Sequence, residues 1–317
     1  MKAVVQDAFG GPEVLKAGEK PLPVCNENEV LIKVEYSALN RADLMQRTGN
    51  YPPPPGATDV LGLECSGYLD SRKVMALLPG GGYAQFAKVH KDHVLEVPEF
   101  VSLEQAAAIT EVWATAYQIL HLVGEAKQGE SILVHAGCSG VGLALTQLAK
   151  AHNMTVISTS SCAEKLQVCA KHGADHTINY KTEDFAARVK DLTNGKGVDL
   201  VADPVGASHC EKNLAALGLD SRWVLYGLMG GPEVSAFSLR TMLMKRIQLR
   251  PTTLKTRSDT YKKSLLEAMS KVVFPGIESG KFTVLVDKVY GMSEAGEAHV
   301  FMGMNANIGK VLLKNDF

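Results

Sequence analysis

Gly137, Ser139, Gly140 and Gly142 fall within one short stretch, Ser131-Ile-Leu-Val-His-Ala-Gly-Cys-Ser-Gly-Val-Gly142. Small residues so spaced let the chain turn tightly and bring bare backbone against a ligand. The chemistry this suits is the holding of a phosphate or pyrophosphate, because a helix's first N–H groups lack partners and its dipole is positive there. The usual dinucleotide turn is G-x-G-x-x-G; here it reads Gly137-x-Ser139-x-x-Gly142, with Ser139 where the second glycine is expected. Ser139 would face the dinucleotide through its hydroxyl or N–H, and Gly140, Val141 and Gly142 would offer backbone N–H groups. A tight strand-to-helix turn in any α/β protein has the same look, so the surrounding elements decide between the readings.

Those elements fit a nucleotide fold. Ile132–Val134 read as a buried strand and 143–152 as a helix. A strand–helix rhythm follows: strands at 155–159, 176–180, 198–202 and 222–227, with helices at 163–172, 183–194 and 208–217. Such alternation predicts βαβ units, a parallel sheet and a ligand at the strands' carboxyl ends. An NAD site normally has Asp or Glu at the end of the second strand. Here that strand ends Ser158-Thr-Ser-Ser161, and Lys165 follows. Hydroxyls with a cation suit a 2′-phosphate that a carboxylate would repel, which favours NADPH, with Ser160 and Lys165 as its contacts. Glu164 is close enough to serve a ribose, and Lys165 is also a natural solvated helix residue.

The first hundred residues differ, with short strands broken by Gly and Pro, such as 29–34, the run Pro52–Pro55, and a Gly80-Gly-Gly82 turn leading into a strand. This is the grammar of a compact β-barrel-like domain. Near the other end come a helix at 261–272 and strands at 283–290 and 309–313, which need partners that the first domain would provide. The expected organisation is 1–112 and 256–317 as one domain with 113–255 inserted as a dinucleotide domain. The 317 residues carry 46% hydrophobic and 21% charged side chains and a net charge of −1, so no basic excess exists to hold nucleic acid. No apolar run approaches a membrane span, the start does not read as a secretory signal, and the six cysteines form no C-x-x-C pair. A reducing, cytoplasmic setting is the expectation.

Several motifs occur in order: Asn40-Arg-Ala-Asp43, Gly62-Leu-Glu-Cys-Ser-Gly67, Ala76-Leu-Leu-Pro-Gly-Gly-Gly82, the 135–142 turn, Trp223-Val-Leu-Tyr-Gly-Leu-Met-Gly-Gly231 and Asn307-Ile-Gly-Lys310. Together, over nearly the whole chain, they resemble the medium-chain dehydrogenase/reductases, and within them the zinc-free quinone oxidoreductases, the tumour-suppressor-inducible group most of all. The resemblance implies an α/β fold: a Rossmann doubly wound parallel sheet plus a GroES-like β-barrel catalytic domain, with the active site in the cleft. It implies NADPH as cofactor, a small-molecule quinone as partner, and a homodimer paired through dinucleotide-domain edges, for which Arg246–Arg250 is a candidate edge strand. An enone or enal reductase and a non-catalytic NADPH binder are the alternatives.

The resemblance also assigns roles. Tyr51, Asn40 and Asp43 would face the nicotinamide or substrate, although Tyr51 also suits packing on the prolines and Asp43 a helix start. Tyr180 would contact adenosine, or be an ordinary edge-strand tyrosine. Tyr226, Gly227, Met229 and Gly230 would close the cofactor cleft, with Asn307 and Lys310 from the returning segment; Lys310 also suits a solvated strand. The ligand positions of zinc-dependent relatives correspond to Asn40, Leu63 and Glu111, a poor tetrahedral set, so no zinc is expected. Glu64 is expected to hold backbone, and Glu111 to contact substrate or stay a buried structural acid. His90-Lys-Asp-His93 reads as an exposed loop or strand end. About a dozen residues usual in the family are missing between Gly67 and Val74, which threatens an exposed barrel edge. A second shortening lies around 274–284.

Overall fold

The computed structural model describes all of residues 1–317. Two compact units divide the chain, one of residues 1–114 with 254–317, the other of 115–253. The first unit opens with β1 (Lys2–Val5) and β2 (Lys16–Glu19), an antiparallel pair. Next come β3 (Glu29–Ala38), α1 (Arg41–Arg47), β4 (Glu64–Leu69), β5 (Arg72–Leu77), β6 (Phe86–His90) and β7 (Val94–Glu96), then α2 (Leu103–Ala106) and α3 (Thr110–Tyr117). The second unit holds β8 (Ser131–Val134), α4 (Gly140–Ala151), β9 (Thr155–Ser160), α5 (Ala163–Lys171), β10 (His176–Asn179) and α6 (Phe185–Leu192). It is completed by β11 (Val198–Asp203), α7 (Cys210–Ala216), β12 (Leu217–Leu225), α8 (Leu239–Lys245) and β13 (Gln248–Pro251). The chain then returns to the first unit as α9 (Asp259–Glu278), β14 (Val286–Gly291), α10 (Ala295–Gly303) and β15 (Lys310–Lys314).

In the second unit the strand order is β10-β9-β8-β11-β12-β13, every neighbouring pair parallel. The order reverses between β8 and β11, where a doubly wound sheet opens its ligand crevice. Strand β8 is buried along Ile132, Leu133 and Val134, as a strand covered on both faces must be. Strand β13 is an edge, beginning two residues after and ending one residue after the expected 246–250.

The first unit's sheet runs β14-β15-β3-β4-β5-β7, with β6 also on β3. Strands β14 and β7 are its ends, so the expected barrel is not closed by strand pairing. Strand β15 pairs with β3 through Leu312↔Ala38, which joins the two ends of the chain in one sheet. The shortened segment leaves no gap in this sheet: β4 and β5 pair from Glu64↔Leu77 to Leu69↔Arg72 around Asp70 and Ser71, with Asp70 in the left-handed region at φ 54°. Asp tolerates that conformation better than most residues. Helix α9 is longer at both ends than the expected 261–272 and runs through Pro275 and Gly276. Any Cβ on Gly276 would run into the Phe282 ring, so the glycine is what lets Phe282 seat against the helix.

Candidate functional site

Each unit carries one polar centre. In the second unit, the turn leaves β8 with Ala136 in the left-handed region, at φ 49°, a non-glycine strain that the sequence did not signal. Ser139 then takes the N-cap position of α4, its Oγ accepting from the Gly142 N–H at 3.1 Å, while its own N–H donates to the Ala136 carbonyl. Two expectations are corrected here. Neither the Ser139 N–H nor the Gly142 N–H is available to a ligand, because each is already bonded inside the turn. Gly142 serves instead by having no side chain: a Cβ there would collide with the Ala136 carbonyl oxygen and lie 2.7 Å from the Gly137 carbonyl carbon. The amides of Gly140 and Val141, the first two of α4, keep no protein acceptor. Gly137 allows the turn to lie on β9, since its Cβ would approach that of Ser158 to 2.9 Å.

At the end of β9 no carboxylate stands. Ser158, Thr159 and Ser160 are buried, and the Ser160 carbonyl accepts from the Tyr180 N–H at 3.2 Å. Tyr180 is exposed, edge-on to the His209 ring at 5.7 Å. Past β12, the Tyr226–Gly231 loop lies on the loop after β11: the N–H groups of Met229 and Gly230 donate to the carbonyls of Pro204 and Val205 at 3.0 and 2.7 Å. A Cβ on Gly227 would meet the Pro204 carbonyl oxygen at 2.7 Å. The Tyr226 hydroxyl is buried with no hydrogen-bond partner, and its acidity is suppressed by burial and by Asp203. An open helix start, a glycine cradle and an orphaned hydroxyl are what a bound dinucleotide would satisfy, so these residues fit one.

Beneath the turn runs a buried polar chain that pattern reading missed. Thr159 Oγ1 donates to His135 Nδ1 at 3.0 Å, His135 Nε2 donates to Asn213 Oδ1 at 2.7 Å, and Asn213 Nδ2 donates to Asp203 at 2.9 Å. Burial pushes the His135 pKa down to about 4, so the ring is neutral and one nitrogen accepts while the other donates. Asp203 further accepts from Trp223 Nε1 at 3.0 Å and from the N–H groups of Val205 and Gly206. Here an Asp at the end of β11, followed by Pro204 and Gly206, was the available signal.

In the first unit the centre is Glu64, fully buried on β4. It pairs with Lys310 at 2.8 Å and accepts from Asn40 Nδ2 at 3.1 Å, the Glu111 N–H at 2.9 Å and the Thr110 hydroxyl at 3.3 Å. Lys310 is therefore not a solvated strand residue: at 4% side-chain exposure it also donates to the Leu39 carbonyl and to Asn40 Oδ1. Asn40 is held from both sides. Asp43 takes the helix-start role. Its carboxylate accepts from the Asn40 and Gly62 N–H groups at 2.8 and 3.1 Å, which starts α1 and pins the Gly62 loop. It also ends a relay in which Arg47 donates to His299, His299 to Tyr83, and Tyr83 to Asp43. Burial raises Asp43 to about 6 and drops His299 to about 3.

Tyr51 lies beneath a cation, the Lys255 ammonium standing 4.4 Å from its ring centre while donating to Gln46 Oε1 at 3.0 Å. The Tyr51 hydroxyl has no protein partner, and burial, with Glu111 nearby, raises it to about 12. Glu111 itself is partly buried and raised to about 8 by burial and by Glu64. The returning Asn307 closes its own turn, donating to the Gly309 carbonyl at 2.9 Å, and so belongs to the first unit's local structure. His93 is buried, not exposed, its Nε2 facing the Asp259 carbonyl at 3.3 Å. No three His, Cys, Asp or Glu side chains converge as a metal cage would require.

Residues 140–271 match the family model described as zinc-binding dehydrogenase, and residues 26–73 that of the alcohol dehydrogenase GroES-like domain. A quinone oxidoreductase of Pseudomonas aeruginosa is 31% identical, across 96% of this chain and 97% of its own. The chain belongs to the quinone oxidoreductase-like medium-chain dehydrogenase/reductases. Among solved structures, the quinone oxidoreductase of Escherichia coli in complex with NADPH superposes with a TM-score of 0.88 at 30% identity, covering 99% of this chain and 100% of that one. A 2-haloacrylate reductase superposes at 0.83 with 26% identity over the full length of both chains. The mixed α/β fold of this family member, with its parallel Rossmann sheet and GroES-like unit, is thus the family's, and no helix is long and apolar enough to cross a membrane.

Proposed function

We propose that this oxidoreductase reduces quinones with NADPH and without zinc. The observation that carries the reading is the pair of features in the second unit: two unpartnered amides at the start of α4, and a β9 that ends in hydroxyls where an NAD-preferring site has an acid. Gly140 and Val141 would hold the pyrophosphate, and Ser160 and Lys165 the 2′-phosphate. Tyr180 would border the adenosine, and Tyr226 with the Gly227–Gly230 backbone would complete the cradle. Bound there, NADPH would supply a hydride, the two electrons that turn a quinone into a hydroquinone once one proton joins from water.

The first unit's residues support the zinc-independent part. Where zinc-dependent relatives place ligands, Asn40 already accepts from Lys310, and the Lys310 ammonium supplies the positive charge that Glu64 needs. A quinone asks little of Lewis-acid help, being electron-poor already. Tyr51 would orient the acceptor: its O–H stays protonated across the working pH range and donates to no other protein group. As in the tumour-suppressor-inducible group that its motifs most resemble, the molecule would act as a cytoplasmic homodimer. Strand β13 at the sheet edge, and Leu239, Leu243 and Met244 exposed along α8, supply a surface for such pairing.

The structural likeness to a 2-haloacrylate reductase favours a second reading, reduction of an activated C=C bond. Following NADPH absorbance with an ortho-quinone in the presence of chelator, beside Ser139→Val, tests both. Turnover that survives chelator and falls at least about tenfold in the variant, which loses the α4 cap, is expected. Turnover of enones but not quinones would move the assignment to the second reading. NADPH binding without any turnover would leave a non-catalytic binder.

A further inference from the structure

The first unit contains a cleft of about 690 Å³ that Glu64 does not line. Its lining includes the apolar Pro23, Pro54, Pro79 and Phe86. It also includes the chain around the start of α9, where Ser258 caps the helix, its Oγ accepting from the Tyr261 N–H at 3.2 Å. The amide of Asp259, first in this 20-residue helix, has no protein acceptor.

The independent observation is Lys262. It lines the cleft, only 8% of its surface is exposed, and its ammonium makes no hydrogen bond or ion pair within the protein. The stem of Lys262 is buried and its ammonium, which no protein group binds, opens to the cleft, where nearby charges do not compensate it fully. Glu111 and Asp259 are its nearest opposite charges. Glu111 carries its proton up to about pH 8, and Asp259 is turned outward beside His93. Elsewhere in the cleft, Lys88 is matched by Glu29 at 3.1 Å.

We propose that this cleft binds small carboxylates with an apolar body, the carboxylate set against Lys262 and the first turn of α9, the body against the apolar lining residues. A carboxylate on an apolar body fits better than phosphate, because phosphate has no apolar part to set against Pro23, Pro54, Pro79 and Phe86. The site requires no cofactor and stands whether or not the quinone reading holds.

The test is calorimetric titration of the full-length chain, without NADPH, using benzoate, benzamide and inorganic phosphate as probes. Benzoate should saturate one site, benzamide should bind at least about tenfold more weakly, and Lys262→Met should weaken benzoate by at least about tenfold while Lys262→Arg retains it. Equal affinity for benzoate and benzamide would overturn the anion site, as would unchanged benzoate binding in Lys262→Met. Phosphate binding as tightly as benzoate would overturn the choice of carboxylate. If Lys262→Met fails to fold by circular dichroism, the benzoate-to-benzamide ratio of the native chain and the Lys262→Arg result decide.

Discussion

Replacing Lys310 by Met removes the only cation in contact with a fully buried carboxylate. At 2.8 Å the pair attracts by about 6 kcal/mol at an effective dielectric of about 20, most of it offset by taking both ions out of water. The variant loses the attraction but leaves Glu64 in place, with Asn40, Thr110 and the Glu111 N–H as its remaining donors. The Leu39 carbonyl and Asn40 Oδ1 lose a donor as well. Breaking such a pair from one side costs about 3–5 kcal/mol. Glu64→Gln alone strands the ammonium and should cost a similar amount. The double variant should cost less than the sum of the two by about 2 kcal/mol, because the second substitution removes a charge already unpaired.

The molecule supplies its own probes for this cycle. Its two tryptophans are divided, Trp113 in the first unit and Trp223 in the second. Urea unfolding followed by Trp113 fluorescence in a Trp223→Phe background reports the unit that holds the pair. Strict additivity, or a cost below about 1 kcal/mol for Lys310→Met, would show that Glu64 is solvated or otherwise compensated and would refute the electrostatic account.

Glu111 makes a pH prediction. The unfolded chain releases this proton near pH 4.3, the folded one only near pH 8, so between those values the unfolded state binds fewer protons and stability falls as pH rises, by up to about 1.4 kcal/mol per unit. Glu111→Gln should flatten that slope between pH 5 and 8 in urea titrations, and an unchanged slope would reject the raised acid. Gly142→Ala, which in an open helix interior gains about 1 kcal/mol, should instead lose stability and weaken NADPH binding by calorimetry, since its methyl meets the Ala136 carbonyl. Asn213→Leu strands the His135 N–H and removes one of the two donors to an Asp203 oxygen that Trp223 still serves, a cost of about 1–3 kcal/mol. Trp223, bonded to the same Asp203, should report that loss, and an undisturbed Trp223 transition would count against the relay.

What could be read in the residues was what repeats locally. The strand–helix rhythm of the second unit and the turn at 137–142 depend on near neighbours and follow periodicity and glycine spacing, whereas the strand expected at 222–227 runs instead from Leu217 to Leu225 and leaves Tyr226 and Gly227 in the loop beyond it. What stayed hidden depends on long-range partners. Nothing near Lys310 announces that its ammonium meets Glu64 and Asn40, because those arrive from the far end of the chain through the pairing of β15 with β3. Asp43 was ambiguous between a helix start and a reacting group, and only the Gly62 and Tyr83 contacts decide it. Helix α9 runs past the expected end at 272 and through Pro275 and Gly276, residues that usually disfavour a helix; the side chain Gly276 lacks is what leaves room for the Phe282 ring, a contact from beyond the helix's own end.

The Asp70–Ser71 hairpin makes this chain's sheet a candidate host for cargo. Leu69 and Arg72 are cross-strand partners, so anything spliced between them begins and ends at nearly the same point, as a folded guest with adjacent termini does. The strands below the turn are registered by six residue pairs and do not rely on the turn itself to stay aligned. A fluorescent or ligand-sensing domain grafted at Ser71 would therefore ride on β4 and β5, the first of which carries Glu64 at its other end. Any shift in that buried ion pair would then have a mechanical route, along a single strand, to an optical signal.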